Sequence, residues 1–578
     1  MPPAVPPSAL LPSTASPSRV APMADPPPAA IDSVEQGGRA WPGRSKPGTW
    51  IAFALGLLLG AAPASAMASA NAACPPPSAP DALSTPTEQL RAASLDLRGT
   101  TPTMQEYDDL LAAVAAGNDP QAALGGFIKG WLSSLDFADQ LVRLHRDKLW
   151  NAIDNFRLLH VPGAVAQSGN VYWRNGGNVA VHWRGNRVPC LDEPATWDED
   201  GQIIFKPQPD GTKREGFVMV APYWAPTTQI KVCAVDAQDT VTSASGKFCG
   251  ALGMGYEAGC GCGPNMRWCR YGDTDGQILR SFSTALDRQI RDVLAEDRPY
   301  TDLFTEKVAW INGPIAFFWR HQAQVSTPLR LSPVPLDVNT LPDLPFAAMD
   351  TWVKIELPKA HAGILSAPAF LLRFQTNRAR GNRFYSAFLC QPFQAPDTGI
   401  PVDAAAALAE PDLQLRAGCK YCHGLLEPVA AFWGRWVENG AAYLDPMGFP
   451  PFHSGCDTCA KTGNLCTPEC KLFYNTKALS DKEKTFLGWL EAYTFLASAH
   501  QKHIDQGPKL MALTAAVDQR LPRCVARRTA EWLLGRELVD EEELAWTDTL
   551  AVEFAQGGFK MRSLVATIVA SDVYRRVR

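Results

Sequence analysis

The sequence predicts a mainly α-helical, multidomain chain carrying a disulfide-rich, β-containing insertion. Three observations carry this expectation. Apolar residues recur at helical spacing over residues 85–160, 273–400 and 480–578, with caps and stops at the ends of the runs. Residues 161–272 switch to short alternating runs broken by Asn-Gly and Asp-Gly turns. Most of the 15 cysteines fall in that segment and in residues 401–479.

At 578 residues, with 46% hydrophobic and 20% charged side chains, the chain can bury several cores. The net charge is −5 and no Lys/Arg run stands out. That leaves no electrostatic footprint for nucleic acid or an anionic membrane surface, and both are set aside as partners.

Residues 1–48 are Pro/Ala/Ser-rich and too poor in large apolar side chains to fold. Residues 49–72 have the form of a secretory signal peptide. Arg44 and Lys46 precede an apolar run over 50–62, and small-x-small sites follow at Ala64-Ser65-Ala66, Ala68-Ser69-Ala70 and Ala70-Asn71-Ala72. The run is too short to cross a bilayer comfortably, so the mature chain is expected to lack a transmembrane helix. Export to the periplasm or cell surface follows, where the default state of a cysteine is a disulfide. Cys74 is a candidate lipid anchor, although Asn71 stands where a lipid-attachment motif has a large aliphatic residue. A thiol open to intermolecular pairing is the alternative.

Residues 85–160 predict an N-terminal helical domain. "TPTMQEYDDLLAAVAAG" places Tyr107, Leu110, Leu111 and Val114 on one face, with Gly117 as the stop. His145 and His160 fall here, and a lone helical histidine is usually packing rather than ligation. In 161–272, Asn175-Gly176-Gly177 and Pro209-Asp210-Gly211 each predict a hairpin. Cys260-x-Cys262-x6-Cys269 has metal-like density, but export favours disulfides. In 273–400, Ile278, Leu279, Phe282, Leu286, Ile290 and Val293 form one stripe, and the arginines of "RFQTNRARGNRF" are expected on a solvated face. Residues 480–578 are expected to be helical throughout, starting from a capping box of Ser480 and Glu483.

The informative pentapeptide lies in 401–479. Cys419-Lys-Tyr-Cys422-His423 has the spacing of a covalent c-type haem site. Two thiols one helical turn apart add across the porphyrin vinyl groups, and the adjacent imidazole ligates the iron as proximal ligand. A thioredoxin-type redox pair would need a βαβ setting that the flanks lack. Pro428 suits a first turn, with Val429, Phe432, Trp433 and Trp436 as an apolar face and Asn439-Gly440 as its end. Met447 is the first choice as distal ligand, with His453 or an open position as alternatives. Cys456-x2-Cys459-x6-Cys466-x3-Cys470 has no ligating histidine after the second cysteine, so it predicts two disulfides and no second haem.

Several stretches together resemble the planctomycete-type secreted cytochrome families. They are "RAASLDLRGTTPTMQEY" (91–107), "RPYTDLF" with "INGPIAFFW" (298–319), "HAGILSAPAFLLRFQTNRARGNRFYSAFLCQPFQAP" followed by "CKYCH", and "EWLLGRELVDEEEL" with "FKMRSLVATIVASDVYRR". The resemblance implies an exported multidomain protein with a cytochrome-c-like segment and one covalent haem held by Cys419, Cys422 and His423. The family's Asp-Pro-x-Gly-Phe element is displaced here. Glu427-Pro428 occupies the near position, and Asp445-Pro446-Met447-Gly448-Phe449 comes later.

Three functions remain open on the sequence. The first is one-electron transfer at the haem to or from a partner protein. The second is oxidative catalysis at an open haem face. The third is a non-catalytic scaffold, stapled by haem and disulfides, that binds a surface polymer or partner.

Overall fold

Helices begin where a hydroxyl or carboxylate can satisfy the first backbone N–H groups. The computed structural model describes residues 83–576, except 154–157, 159–162, 176–183, 185–187, 251–256, 258, 324–335, 394–408, 465 and 539–540. The expected extension, signal peptide and Cys74 lie outside the described residues, as do His160 and the Gly176-Gly177 turn. Thr85 and Glu88 form a capping box for α1 (Pro86–Arg98), and Thr103 and Glu106 do so for α2 (Met104–Ala115). Asp119 caps α3 (Pro120–Leu132) and Ser134 caps α4 (Leu135–Leu149). Arg98 reaches from α1 to Glu106 of α2 at 2.9 Å.

The stripe expected in 273–400 forms α5 (Thr274–Ala295), whose Ile278, Leu279, Ile290 and Val293 are fully buried. α5 packs along α4. Arg291 pairs with Asp139 at 2.6 Å, and Asn151 donates to Asp287 at 2.9 Å. His145 is buried between these elements, its Nε2 2.8 Å from the Tyr300 hydroxyl, and burial pushes its pKa down to about 4. It is a packing histidine, as expected. Short helices α6 (Asp302–Thr305), α7 (Gly313–Phe317) and α8 (Pro368–Arg373) lead to α9 (Asn377–Phe388). After α9 come α10 (Lys420–Ala430), α11 (Ser454–Thr462), α12 (Pro468–Phe473) and α13 (Asp481–Lys484). Then α14 (Ser498–Val517), α15 (Arg520–Leu534), α16 (Glu541–Gln556), α17 (Met561–Ala570) and α18 (Asp572–Arg575) complete the chain.

About half of the structure is helical. The described residues belong to one compact unit, whose main apolar core runs from Leu90 to Tyr574, with smaller separate clusters in 165–269 and 431–504. The segments 85–160, 273–400 and 480–578 therefore share their interior. Tyr574 donates to Asp96 at 2.7 Å, and Leu83 bridges to Arg576, so the two ends of the described chain lie side by side.

The helical expectation after residue 480 needs correction. Ser480 does accept from the Glu483 N–H, but α13 is one turn long, and residues 485–497 are turns with one 3-10 stretch, Glu491–Tyr493. Gly488 sits at φ +78°, a conformation that ends regular helix. α14 is itself kinked at Gly507-Pro508.

Residues 161–272 carry the β structure. β1 (Ala164–Ser168) and β2 (Val171–Arg174) form a hairpin with Val165 opposite Arg174. Its turn is at Gly169-Asn170, where Gly169 supplies the positive φ of +58°; the hairpin expected at Asn175-Gly176-Gly177 runs into residues 176–183, outside those described. β3 (Lys206–Pro207) and β4 (Lys213–Arg214) flank Pro209-Asp210-Gly211, as the sequence predicts. β5 (Phe217–Val220), β6 (Ile230–Cys233) and β7 (Arg270–Tyr271) complete a mixed sheet of order β5-β6-β2-β1-β7. A separate pair, β8 (Val308–Ile311) and β9 (Val353–Glu356), lies against α5.

Cys190–Cys233, Cys249–Cys260 and Cys262–Cys269 staple this region, so the metal-like cluster is disulfide-bonded. Below the sheet, Arg184 pairs with Glu215 at 2.8 Å and Asp236 at 3.0 Å, and Arg174 pairs with Asp236 at 2.7 Å. Burial, reinforced by the Asp236 charge, pushes the Glu215 carboxyl up to about 7 against the attraction of Arg184. A carboxyl whose folded pKa is raised contributes stability below its unfolded pKa, and that contribution is lost as pH rises through the folded value. Thermal melts are therefore expected to fall between about pH 5 and about pH 8, and Glu215→Gln to flatten that slope. An identical slope in the variant would remove Glu215 from the account.

Candidate attachment site at Cys419–His423

Gly418, at φ +79°, turns the chain into α10. Cys419 is the N-cap, and the Cys422 and His423 N–H groups both bond back to its carbonyl. The first helical turn thus gathers Cys419, Cys422 and His423 onto one face. Among the described residues twelve cysteines form six disulfides, and the two that remain as thiols are Cys419 and Cys422. Both are partly accessible.

His423 is held from behind. Its Nδ1 lies 2.5 Å from Glu427 Oε1, one turn further along α10. A carboxylate only accepts, so Nδ1 carries a proton, and in the neutral imidazole Nε2 then holds the lone pair that a metal needs. Arg378 at the start of α9 donates to the same Glu427 oxygen at 2.6 Å. The histidine–carboxylate spacing of four is visible in the sequence; the Arg378 contact, 49 residues away, is not.

A cavity of about 680 Å³ opens against the same helix, with Glu427, Ala430 and Ala431 in its wall. Trp436, Val437, Leu444, Leu490 and Phe495 give it an apolar side, while Arg378, Asp412, Glu438 and Glu491 give it a polar one. Its volume and mixed lining suit a large, mostly apolar ligand with charged substituents. Burial and the neighbouring Glu438 charge both raise the Glu491 carboxyl above its usual range.

The helix that lines the cavity starts earlier than expected. Pro428 is interior to α10, not in a first turn. Its carbonyl accepts from His503 Nδ1 at 3.2 Å, and that imidazole stacks on Phe432 with centroids 4.2 Å apart. Trp433 is fully buried and donates to the Leu365 carbonyl at 2.9 Å.

The arginines expected on a solvated face divide into separate roles. Arg378 reaches Glu427. Arg380 is fully buried and donates to the carbonyls of Leu371, Phe374, Trp436, Val437 and Gly440 and to Asn377 Oδ1. Burial pulls its pKa down to about 9. Gly381 beside it lets α9 meet α10, since a Cβ there would stand 2.9 Å from Val429 Cγ1. Arg383 lies over Trp150, 3.9 Å from the ring centroid.

Met447 is 94% exposed in a turn where its N–H bonds to Asp445, and it is not among the residues lining the cavity. His453 is engaged as the N-cap of α11, its Nδ1 accepting from the Cys456 N–H at 3.2 Å. Its ring packs on Tyr474. The four cysteines beside it form two disulfides, as the sequence predicts, and the structure supplies the pairing, Cys456–Cys470 and Cys459–Cys466. His453, Cys456 and Cys470 lie within 4.8 Å of one another, but with both sulfurs bonded to each other they offer no thiolate to a cation.

No protein-family model, curated protein or solved structure matches this chain.

Two outcomes are expected. Alkylation of the folded chain without reductant, made in a host that does not attach haem, should label Cys419 and Cys422 and leave the twelve bridged cysteines unmodified in peptide maps. Arg380→Leu should cost about 4 kcal/mol or more in denaturant unfolding, because several buried carbonyls lose their donor together.

Proposed function

We propose that this chain is an exported mono-haem c-type protein that passes one electron to or from a partner protein at the periplasm or cell surface. One observation carries the reading. Among the described residues, the cysteines outside disulfides are the two of the Cys-x-x-Cys-His motif, set on a helix that walls a large cavity. In this reading Cys419 and Cys422 hold the porphyrin by thioether bonds, and His423 Nε2 takes the iron. When bound, the group supplies a one-electron iron(III)/iron(II) couple. Glu427 orients the imidazole and raises its basicity, while Arg378 tempers the carboxylate's charge. Six disulfides support an oxidising compartment, and among the described residues no helix is long and apolar enough to cross a membrane. The resemblance to the planctomycete-type secreted cytochromes agrees with this proposal.

A second reading is favoured by the far side of the cavity. Met447 and His453 are turned to other uses and, like Cys419, Cys422 and His423 themselves, are not among its described lining residues. An open distal face would permit oxidative chemistry on a small ligand.

The test is the mature protein from a host competent in haem attachment. Intact mass should show one added macrocycle, absent from Cys419→Ala/Cys422→Ala, and a haem-free mass would end the proposal. Glu427→Gln is expected to raise the reduction potential by on the order of 60 mV, a tenfold step for a one-electron couple. Rapid cyanide binding by the oxidised protein would select the open-face reading; slow or negligible binding would select electron transfer.

A further inference from the structure

α4 ends on a residue that its backbone position disfavours. Trp150 caps the helix at φ +50°, ψ +42°, a left-handed conformation normally given to glycine. Strain of this kind in a bulky residue is tolerated where the side chain has a use. The indole is 53% exposed. Arg383 lies over its ring at 3.9 Å, and the Arg373 guanidinium stands 5.7 Å from the same centroid. Among the described residues neither arginine pairs with a carboxylate. Burial and the charges of Arg373 and Arg528 pull Arg383 down to about 10 against the opposing charge of Asp147, so Arg373 and Arg383 crowd positive charge beside the ring.

From the indole an open cavity of about 640 Å³ extends along α4 and α5, lined by Arg146, Trp150, Asn151, Ser283, Asp287 and Arg373. Its floor is preorganised. Arg146 pairs with Asp287, and Asn151 donates to the other oxygen of that carboxylate at 2.9 Å. Donors and acceptors therefore alternate beside an exposed ring and the Arg373 guanidinium.

We propose that this cavity binds an anionic sugar, a ring bearing a carboxylate or sulfate, with the indole against the ring's C–H face and Arg373 on the acid group. A sugar's hydroxyls can accept from Arg146, which is half-exposed and keeps guanidinium N–H groups beyond those it gives Asp287, while Asn151 holds that carboxylate in place from beneath. A polyphosphate only accepts, and would meet the charge of Asp287 as well as that of exposed Asp147 beside the patch. A planar guanidinium is the side chain best matched to a carboxylate or sulfate edge. The site draws on none of the residues of the Cys419–His423 motif or its cavity and stands without the haem.

Isothermal titration of the full chain tests it, with oligogalacturonate and a sulfated oligosaccharide as probes and a neutral malto-oligosaccharide and inorganic sulfate as controls. One or both charged oligosaccharides should bind in a salt-sensitive manner, and whichever binds identifies the acid group. Arg373→Ala should weaken that binding at least about tenfold. Trp150→Gly gives the helix end the residue its φ prefers, so it should fold at least as well as the native chain while losing the sugar. Equal affinity for the neutral sugar, sulfate alone binding as tightly as the oligosaccharide, no binding by either charged probe, or unchanged affinity in both variants would each overturn the proposal.

Discussion

A fully buried guanidinium, with no carboxylate in contact among the described residues, ties together the corner where α8, α9 and the end of α10 meet. Moving a charge out of water is costly, and Arg380 is fully buried. What offsets the cost is a ring of backbone oxygens: Leu371 and Phe374 from α8 and its end, and Trp436, Val437 and Gly440 from the corner after α10. Each of those carbonyls would otherwise be an unsatisfied acceptor in the interior. One side chain thereby fixes where α9 lies against the corner that walls the cavity. Two residues upstream on α9, Arg378 is brought to Glu427, and through Glu427 the tautomer of His423 is set. The geometry of the motif is thus inherited from a residue that never touches it.

The cysteines show the same dependence of chemistry on fold. Of the fourteen described cysteines twelve are bridged and two are not, and position decides which. Bridged pairs have Cα atoms 4.9–5.5 Å apart, which places both sulfurs in range once the local structure forms. Cys419 and Cys422 sit on a single helical turn, the arrangement suited to grasping a third object between them.

How much of this could be seen in the sequence depended on the range of the interaction. The α5 stripe, the Thr85 and Thr103 caps and the Asp210-Gly211 turn were legible because each is written within a few residues. The Gly169-Asn170 turn is not legible in the sequence because a glycine beside a polar residue is common turn chemistry and only the sheet register singles this one out. Pro428 suggested a helix start, but the start was set by Gly418, and α10 carries the proline inside it. Residues 485–497 have apolar side chains at helical spacing, yet Gly488 and long-range packing hold them in turns. In the site, the motif and the i,i+4 carboxylate were local and readable. The roles of Arg378, Arg380 and Arg383 were not, because each is decided by a partner at least 49 residues away or by a carbonyl that becomes buried only on folding.

The bridge between Cys390 at the end of α9 and Cys524 in α15 has a topological meaning beyond stability. Residues 390–524 form a closed covalent loop, and α10 with most of the cavity's walls belongs to it. A single backbone cut anywhere inside that loop would leave both fragments tethered through sulfur. A protease that nicks the region would yield two bands only after reduction, and the motif would stay joined to the rest of the molecule.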